Sequence, residues 1–344
     1  MVVALVLSGV TVAVAALDKK EYRVFIVSDD NQKDKFVELR NGFTESLDKQ
    51  LAANSAKARY TVFDTKSNKA NVPAIIQAIK DGQPDLIAVI NSSGVFADTN
   101  ITNKLTDPKY RFVSENCIPV QSGTAKTWDK PGGNVTGVGV FIQYTSIMKL
   151  AQLINPKVRK VIFYSWDSVK PLNDFFQSEI RAACKATGIE LAEFKLLASA
   201  EDEFDFLATA DRRGPDHFIL PGVDVWVHSD GSPANITVEG AEFMRKNIRN
   251  IPLYSYDEAA VKAYYPAGTC VIWYDLGAQM ADKAMKVLAG ANPGDLAWEY
   301  PRKYNLMFNT AGARLIGLKI PSNLLTAAYR VYTDFDGHYI GQKN

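Results

Sequence analysis

A chain of 344 residues is longer than one hydrophobic core usually organises, and 47% hydrophobic residues supply enough apolar surface to fill two. Its 39 basic side chains balance 38 acidic ones with no long block of either sign, which removes any electrostatic case for nucleic acid or an anionic membrane surface as partner. Three cysteines, Cys117, Cys184 and Cys270, lie too far apart for a metal or redox spacing, and Cys184 falls on an apolar helix face where a small core residue is expected.

Met1 to Leu17 carry no charge and end in Ala13, Val14, Ala15 and Ala16, ahead of Asp18-Lys19-Lys20. That is the pattern of a secretory signal cut after Ala15, and it is short of the roughly 20 apolar residues of a membrane span. Val10 follows Leu7-Ser8-Gly9 where a lipoprotein would carry Cys. A soluble periplasmic or secreted protein beginning near Ala16 is expected.

Short β-rich runs then alternate with helical spacing, the pattern of parallel sheets covered by helices on both faces. Val24 to Val27 is the first strand. Phe36, Leu39, Phe43, Leu47 and Leu51 recur at spacings of three and four, which predicts an amphipathic helix. Tyr60 to Phe63 is a second strand, Val72, Ile75, Ile76 and Ile79 a second helix, Asp85 to Ile90 a fully buried third strand, and Tyr110 to Val113 a fourth.

After Gly132-Gly133-Asn134-Val135-Thr136-Gly137-Val138 the alternation restarts. Strands are expected at 161–164, 191–196, 217–220 and 252–255, with helices between them, one of which carries Val238, Ala241, Met244 and Ile248. His217 heads a buried strand and is expected to be a satisfied core residue. From Trp273 to Pro293 the chain reads as a strand followed by a helix. The run Asn305 to Pro321 is followed by Ser322-Asn323-Leu324-Leu325-Thr326-Ala327-Ala328-Tyr329-Arg330-Val331, which reads as an apolar helix, and the last residues read as a frayed polar tail.

In open parallel sheets ligands bind beyond the carboxyl ends of strands, where backbone amides of the following helices point outward. That rule selects Asp29 and Asp30, Asn91, Ser92 and Ser93, and Glu115 and Asn116 in the first half. In the second half it selects Ser165 and Trp166, Asp224 and Trp226, and Asp257. Ser92 and Ser93 offer hydroxyls to an anionic ligand group, or else cap the next helix. Trp166, Trp226 and Tyr274 could stack on a planar or cationic ligand, although Trp273 beside the last is expected to be structural. No His-Glu-x-x-His, Gly-x-Ser-x-Gly or phosphate-cradling loop is present, so no catalytic residue, metal or cofactor is expected.

The runs 132–138, 273–293 and 305–331, in this order and spacing, resemble those of the solute-binding proteins of ABC transporters, in the family that includes tryptophan- and tyrosine-binding proteins. The resemblance implies a type 1 periplasmic binding protein fold: two Rossmann-like lobes joined by three hinge crossings, near 136–139, 273–274 and 300–303. It places lobe one at 16–136 plus 274–299, lobe two at 137–273 plus 300–336, and a tail at 337–344. Gly137 and Gly139 would then lie in a moving strand, where bulky residues should change ligand affinity more than stability.

The resemblance further implies a monomer that closes over a small organic ligand and delivers it to an ABC permease, or alternatively one that signals to a membrane histidine kinase or chemoreceptor. In the family an Asp at the place of Asp224 meets a ligand amino group, in the sequence Pro-Thr-Asp. Here one extra residue separates Pro221 from Asp224. Asn116-Cys117-Ile118-Pro119 and Tyr164-Ser165-Trp166-Asp167 also depart from the family's Thr-Asp-Pro and Tyr-Asn-Pro, which points to an altered pocket.

Overall fold

The computed structural model describes residues 17–28, 34–66, 68–90, 101–140, 143–167, 170–225 and 227–341. The expected export segment, Asp29, Asp30, Asn91, Ser92, Ser93 and Trp226 lie outside the described residues. The chain divides into two compact units, Met1–Val138 with Trp273–Glu299, and Gly139–Ile272 with Tyr300–Asn344, so it passes from one unit to the other after Val138, Ile272 and Glu299.

The first unit opens with β1 (Glu21–Ser28), α1 (Asp34–Ala53), β2 (Lys57–Asp64), α2 (Val72–Gly82), β3 (Leu86–Ile90), β4 (Phe112–Glu115) and β5 (Val135–Val138). Among the described residues these strands form one parallel sheet in the order β2-β1-β3-β4-β5. Its register aligns Asp64, Ser28, Ile90, Glu115 and Val138 in a row along the carboxyl edge. One face packs on α2 through Phe25, Val27, Ile75, Ile79, Ile87, Val89 and Phe112.

Asn134 holds the turn before β5. Its side-chain amide donates to the carbonyls of Leu105 (2.7 Å), Asp107 (3.2 Å) and Tyr110 (2.7 Å), while Gly132 and Gly133 take the positive φ angles (69° and 68°) that side chains disfavour. The Gly-Gly-Asn run is therefore explained as architecture.

The second unit continues with α3 (Tyr144–Ile154), β6 (Lys160–Trp166), α4 (Lys170–Thr187), β7 (Glu190–Leu197), α5 (Ala200–Ala210), β8 (His217–Pro221), α6 (Ile236–Asn247), β9 (Tyr254–Ser255), α7 (Glu258–Ala263) and β10 (Ala267–Cys270). β7, β6 and β8 pair in parallel in that order. A parallel bridge from Ile219 to Leu253 leads from β8 toward β9. His217 is buried at the head of β8 with its Nδ1 2.8 Å from Asp216, and Cys184 is buried on α4, both as expected. Ala241 and Met244 face the core of this unit from α6, whereas Val238 is 52% exposed: the apolar stripe is narrower than its spacing predicts.

The chain then returns to the first unit in α8 (Trp273–Leu288), which packs along α1. Phe36, Leu39, Phe43, Leu47 and Leu51 are all buried, each contributing about 1.5–3 kcal/mol. The helices touch backbone to backbone: a β-carbon on Gly42 would meet the Tyr274 carbonyl, and one on Gly277 the Leu39 carbonyl, each at 2.0 Å. Trp273 is buried edge-to-face against Phe36 (6.2 Å) as a structural residue. The expected strand at its start is absent, because the strand lies earlier, at β10.

The last elements are β11 (Asn305–Asn309), α9 (Thr310–Leu315), α10 (Ser322–Thr326), β12 (Arg330–Tyr332) and β13 (Tyr339–Gly341). They complete the order β13-β12-β11-β10-β9, with β10–β11 and β12–β13 antiparallel and the other pairs parallel. The predicted helix over 322–331 is cut short for a tertiary reason. Tyr332 is buried, Arg330 and Tyr332 both reach Glu258 Oε1, and β12 finds a partner on each side, so sheet pairing overrides helical propensity. Residues 339–341, expected in a frayed tail, form the edge strand.

Gly137 also departs from expectation. A β-carbon there would lie 1.9 Å from the Ser114 carbonyl oxygen and 2.6 Å from the Trp298 ring. Glycine at this position is dictated by packing inside the first unit, so substitution acts on stability.

Candidate ligand-binding residues

In the first unit the described candidates cluster at the end of β4. Glu115 and Asn116 are both buried, and Glu115 stands in register with Ile90 and Val138. Asn116 has its side chain engaged in its own loop. Its amide donates to Ser122 Oγ at 2.9 Å and Thr124 Oγ1 at 3.4 Å, and its carbonyl oxygen accepts from the Ile118 amide at 2.8 Å. Tyr274 does not join them: on α8 its hydroxyl donates to Glu45 of α1 at 2.7 Å.

In the second unit the candidates collect where β6 and β8 end. Ser165 is buried, and its hydroxyl accepts from the Val223 amide at 3.1 Å. The Trp166 amide donates to the Val223 carbonyl (2.8 Å), which ties its backbone to the segment carrying Asp224, and the Trp166 carbonyl accepts from Asn173 (2.7 Å); the residue is half-buried. Asp224 is itself half-buried. Asp257 has another duty, since its carboxylate caps α7 by accepting from the Ala259 amide at 3.0 Å.

Beneath Asp224 lie side chains that strand-end reasoning misses. Glu203 of α5 is 2% exposed; its Oε1 accepts from the Tyr164 hydroxyl and its Oε2 from the Val225 amide, both at 2.9 Å. Tyr164 in turn shares a hydrogen bond with buried Tyr265. Burial first, and the neighbouring Asp224 charge second, push the Glu203 carboxyl up to about 8. Burial first raises both tyrosines, helped next by the Glu203 carboxyl at Tyr164 and by Asp224 at Tyr265, so their hydroxyls stay neutral. A signal for Glu203 exists in the sequence: Ala200, Glu203, Leu207 and Ala210 recur at helical spacing, which puts one carboxylate on an apolar face.

The long loop after Asp224 is tied down by His228, whose Nδ1 is 2.8 Å from Glu201 and whose Nε2 is 3.2 Å from Glu239. Asp334, Asp336 and His338 group their ligand-type atoms within 4.8 Å. Asp334 uses that position to build its turn, accepting from the amides of Asp336, Gly337 and His338 and pairing with His338 Nδ1 at 2.7 Å.

Comparison with known proteins bears on both units. Residues 24–332 match the family model described as ABC transporter substrate binding protein. A tyrosine-binding protein of Clostridioides difficile (strain R20291) is 21% identical over 262 residues, 75% of this chain and 70% of the relative. An ABC domain from Streptococcus pneumonia solved in complex with L-Trp shares 17% identity, covers 90% of this chain and 99% of its own, and superposes with a TM-score of 0.68. The ligand-free, open structure of a substrate binding protein with adhesive properties from Clostridium difficile gives 0.69 at 16% identity, covering 88% and 97%. These structural likenesses establish the type 1 periplasmic binding protein fold. The family match spans most of the chain, which therefore belongs to the ABC transporter substrate-binding proteins.

Proposed function

We propose that this protein binds a small zwitterion of the amino-acid class outside the cytoplasm and hands it, unchanged, to an ABC permease. The observation that carries the reading is the half-buried Asp224 at the carboxyl edge of the second unit's sheet, with Trp166 on the neighbouring strand end and Glu203 beneath it. In open α/β sheets this edge is where ligands dock. A carboxylate there suits an ammonium group, and an indole suits a ring or a cation.

The relative that binds tyrosine and the fold neighbour solved with L-Trp support the choice of an aromatic amino acid as first candidate. Ser92 and Ser93, after β3, are the residues we propose for the carboxylate of the ligand. Export with cleavage after Ala15, a monomeric state and ligand-driven closure belong to the same proposal. A Kd near micromolar, about 8 kcal/mol, is the expected scale.

The experiment is isothermal titration of L-tyrosine and L-tryptophan into the parent and into Asp224→Ala. Stranding a ligand ammonium without its partner should weaken binding about a hundredfold. Equal affinity in the two proteins would remove the amino-acid reading in favour of a neutral or anionic ligand.

A further inference from the structure

The loop that follows Asp224 is fastened to two helices through one imidazole. His228 has its Nδ1 2.8 Å from Glu201 Oε1, on α5, and its Nε2 3.2 Å from Glu239 Oε2, on α6. Each carboxylate turns its other oxygen to the same loop: Glu201 Oε2 accepts from the Ser229 amide at 2.9 Å, and Glu239 Oε1 from the Asn235 amide at 2.8 Å. Between these ends the loop is one piece. Val227 bridges Pro233, and the His228 amide donates to the Ser232 carbonyl at 2.8 Å.

An ionised carboxylate only accepts, so both ring nitrogens must carry a proton for both contacts to hold. His228 in this arrangement is an imidazolium. Loss of either proton turns one nitrogen into an acceptor that faces a carboxylate, which frees the loop from one of its two helices. The hydrogen bond to Glu201 first, then the charges of Glu239, Glu201 and Asp230, hold this proton above the ordinary value of 6.5. Asp230 lies on the loop itself, where its carboxylate accepts from the Ser232 amide at 2.8 Å. The backbone bond from the Ala200 amide to the Val227 carbonyl, 2.9 Å, carries no titrating group, so the proton governs the stretch beyond Val227.

We infer that His228 is a positioning residue whose imidazolium latches the loop of residues 225–235 in the arrangement that ligand binding uses, so that affinity falls as the ring loses its proton. The inference rests on the proposed role of Asp224, the residue from which this loop departs. The latch is whole below 6.5 and opens as pH rises through the folded-state value. Apparent affinity scales with the fraction of molecules in the competent arrangement. Partly exposed ion pairs have modest effects, so the expected change is about two- to fivefold.

Two measurements test this. Proton NMR of the ligand-free protein should show one imidazole, identified by its absence from His228→Gln, titrating above 6.5, and amide exchange over residues 225–235 should be faster in His228→Gln than in the parent at about pH 6. A His228 that titrates at or below 6.5, or equal exchange in the two proteins, overturns the inference without any ligand. Calorimetry then follows L-tyrosine and L-tryptophan binding to both proteins from about pH 6 to pH 9; the ligand's own ammonium titrates alike in both and cancels in their ratio. The parent should bind about two- to fivefold more tightly at pH 6, and the gap should close by pH 9. A gap that is absent, or that does not change with pH, overturns the role of the His228 proton and leaves the amino-acid reading standing. Failure of both amino acids to bind either protein overturns the amino-acid reading and, with it, the link from latch to ligand.

Discussion

The ring of Trp298 stands 2.6 Å from the point where a β-carbon on Gly137 would lie, so the indole occupies the space that any side chain there would need. Trp298 is itself buried and meets Trp128 edge-to-face at 6.4 Å, which leaves it little freedom to retreat. Gly137→Val should therefore destabilise the first unit by about 3 kcal/mol or more, through overpacking and a clash with the Ser114 carbonyl. Denaturant unfolding checks it. A midpoint equal to the parent's would show that β5 yields.

Two signature asparagines should behave as pins of the fold. Asn309 is fully buried; its amide donates to the carbonyls of Val261, Lys262 and Asp334, and its carbonyl oxygen accepts from the Gly312 amide at 2.9 Å. Asn134 plays the corresponding part before β5. Replacing either by Ala strands several buried carbonyls at about 1–3 kcal/mol. Thermal unfolding of Asn134→Ala and Asn309→Ala should show a clearly lowered Tm for each.

Much of this architecture is legible in the sequence where a strand is fully buried or flanked by amphipathic helices. Leu86 to Ile90 are all buried and carry no polar residue, and the spacing of Phe36 to Leu51 announces the face that meets α8. The tail was less legible. Leu324 and Leu325 suggest a helix, but α10 buries nothing, and the identity of β12 depends on Glu258, far away in the chain. The candidate site divides in the same way. Strand ends point to Asp224, whereas Asp257 and Asn116 turn out to serve a helix cap and a loop, which only the local hydrogen bonds reveal. Glu203 escapes a search along strand ends because it approaches from the covering helix.

Stability should fall as pH rises, and Glu203 gives the sign. Its carboxyl is raised from 4.5 in the unfolded reference to about 8, so the folded protein holds this proton more tightly. The stabilisation is complete below about 4.5 and is lost as pH climbs toward the folded value. Tm of the parent should drop between about pH 5 and pH 8, with Glu203→Gln showing a shallower slope across the same window. Parallel slopes would place the proton elsewhere. His228, raised chiefly by its hydrogen bond to Glu201, adds a loss of the same sign that begins above its ordinary value of 6.5 and should vanish in His228→Gln.

Asp257 and Asp224 should separate cleanly in mutation. Asp257→Ala removes the N-cap of α7 and should cost about 1 kcal/mol of stability. Asp224→Ala is expected to act on ligand affinity. Melting curves and titrations of the same two proteins read both effects side by side.

The central claim, that the protein carries a small zwitterion and returns it unchanged, is tested most directly by native mass spectrometry of protein purified without denaturation. One bound small molecule per chain is expected, bearing both an ammonium and a carboxylate group. That molecule should be recovered intact when the protein is unfolded and should rebind when added back. A bound molecule without an ammonium group, or one chemically altered after incubation with the protein, would contradict it.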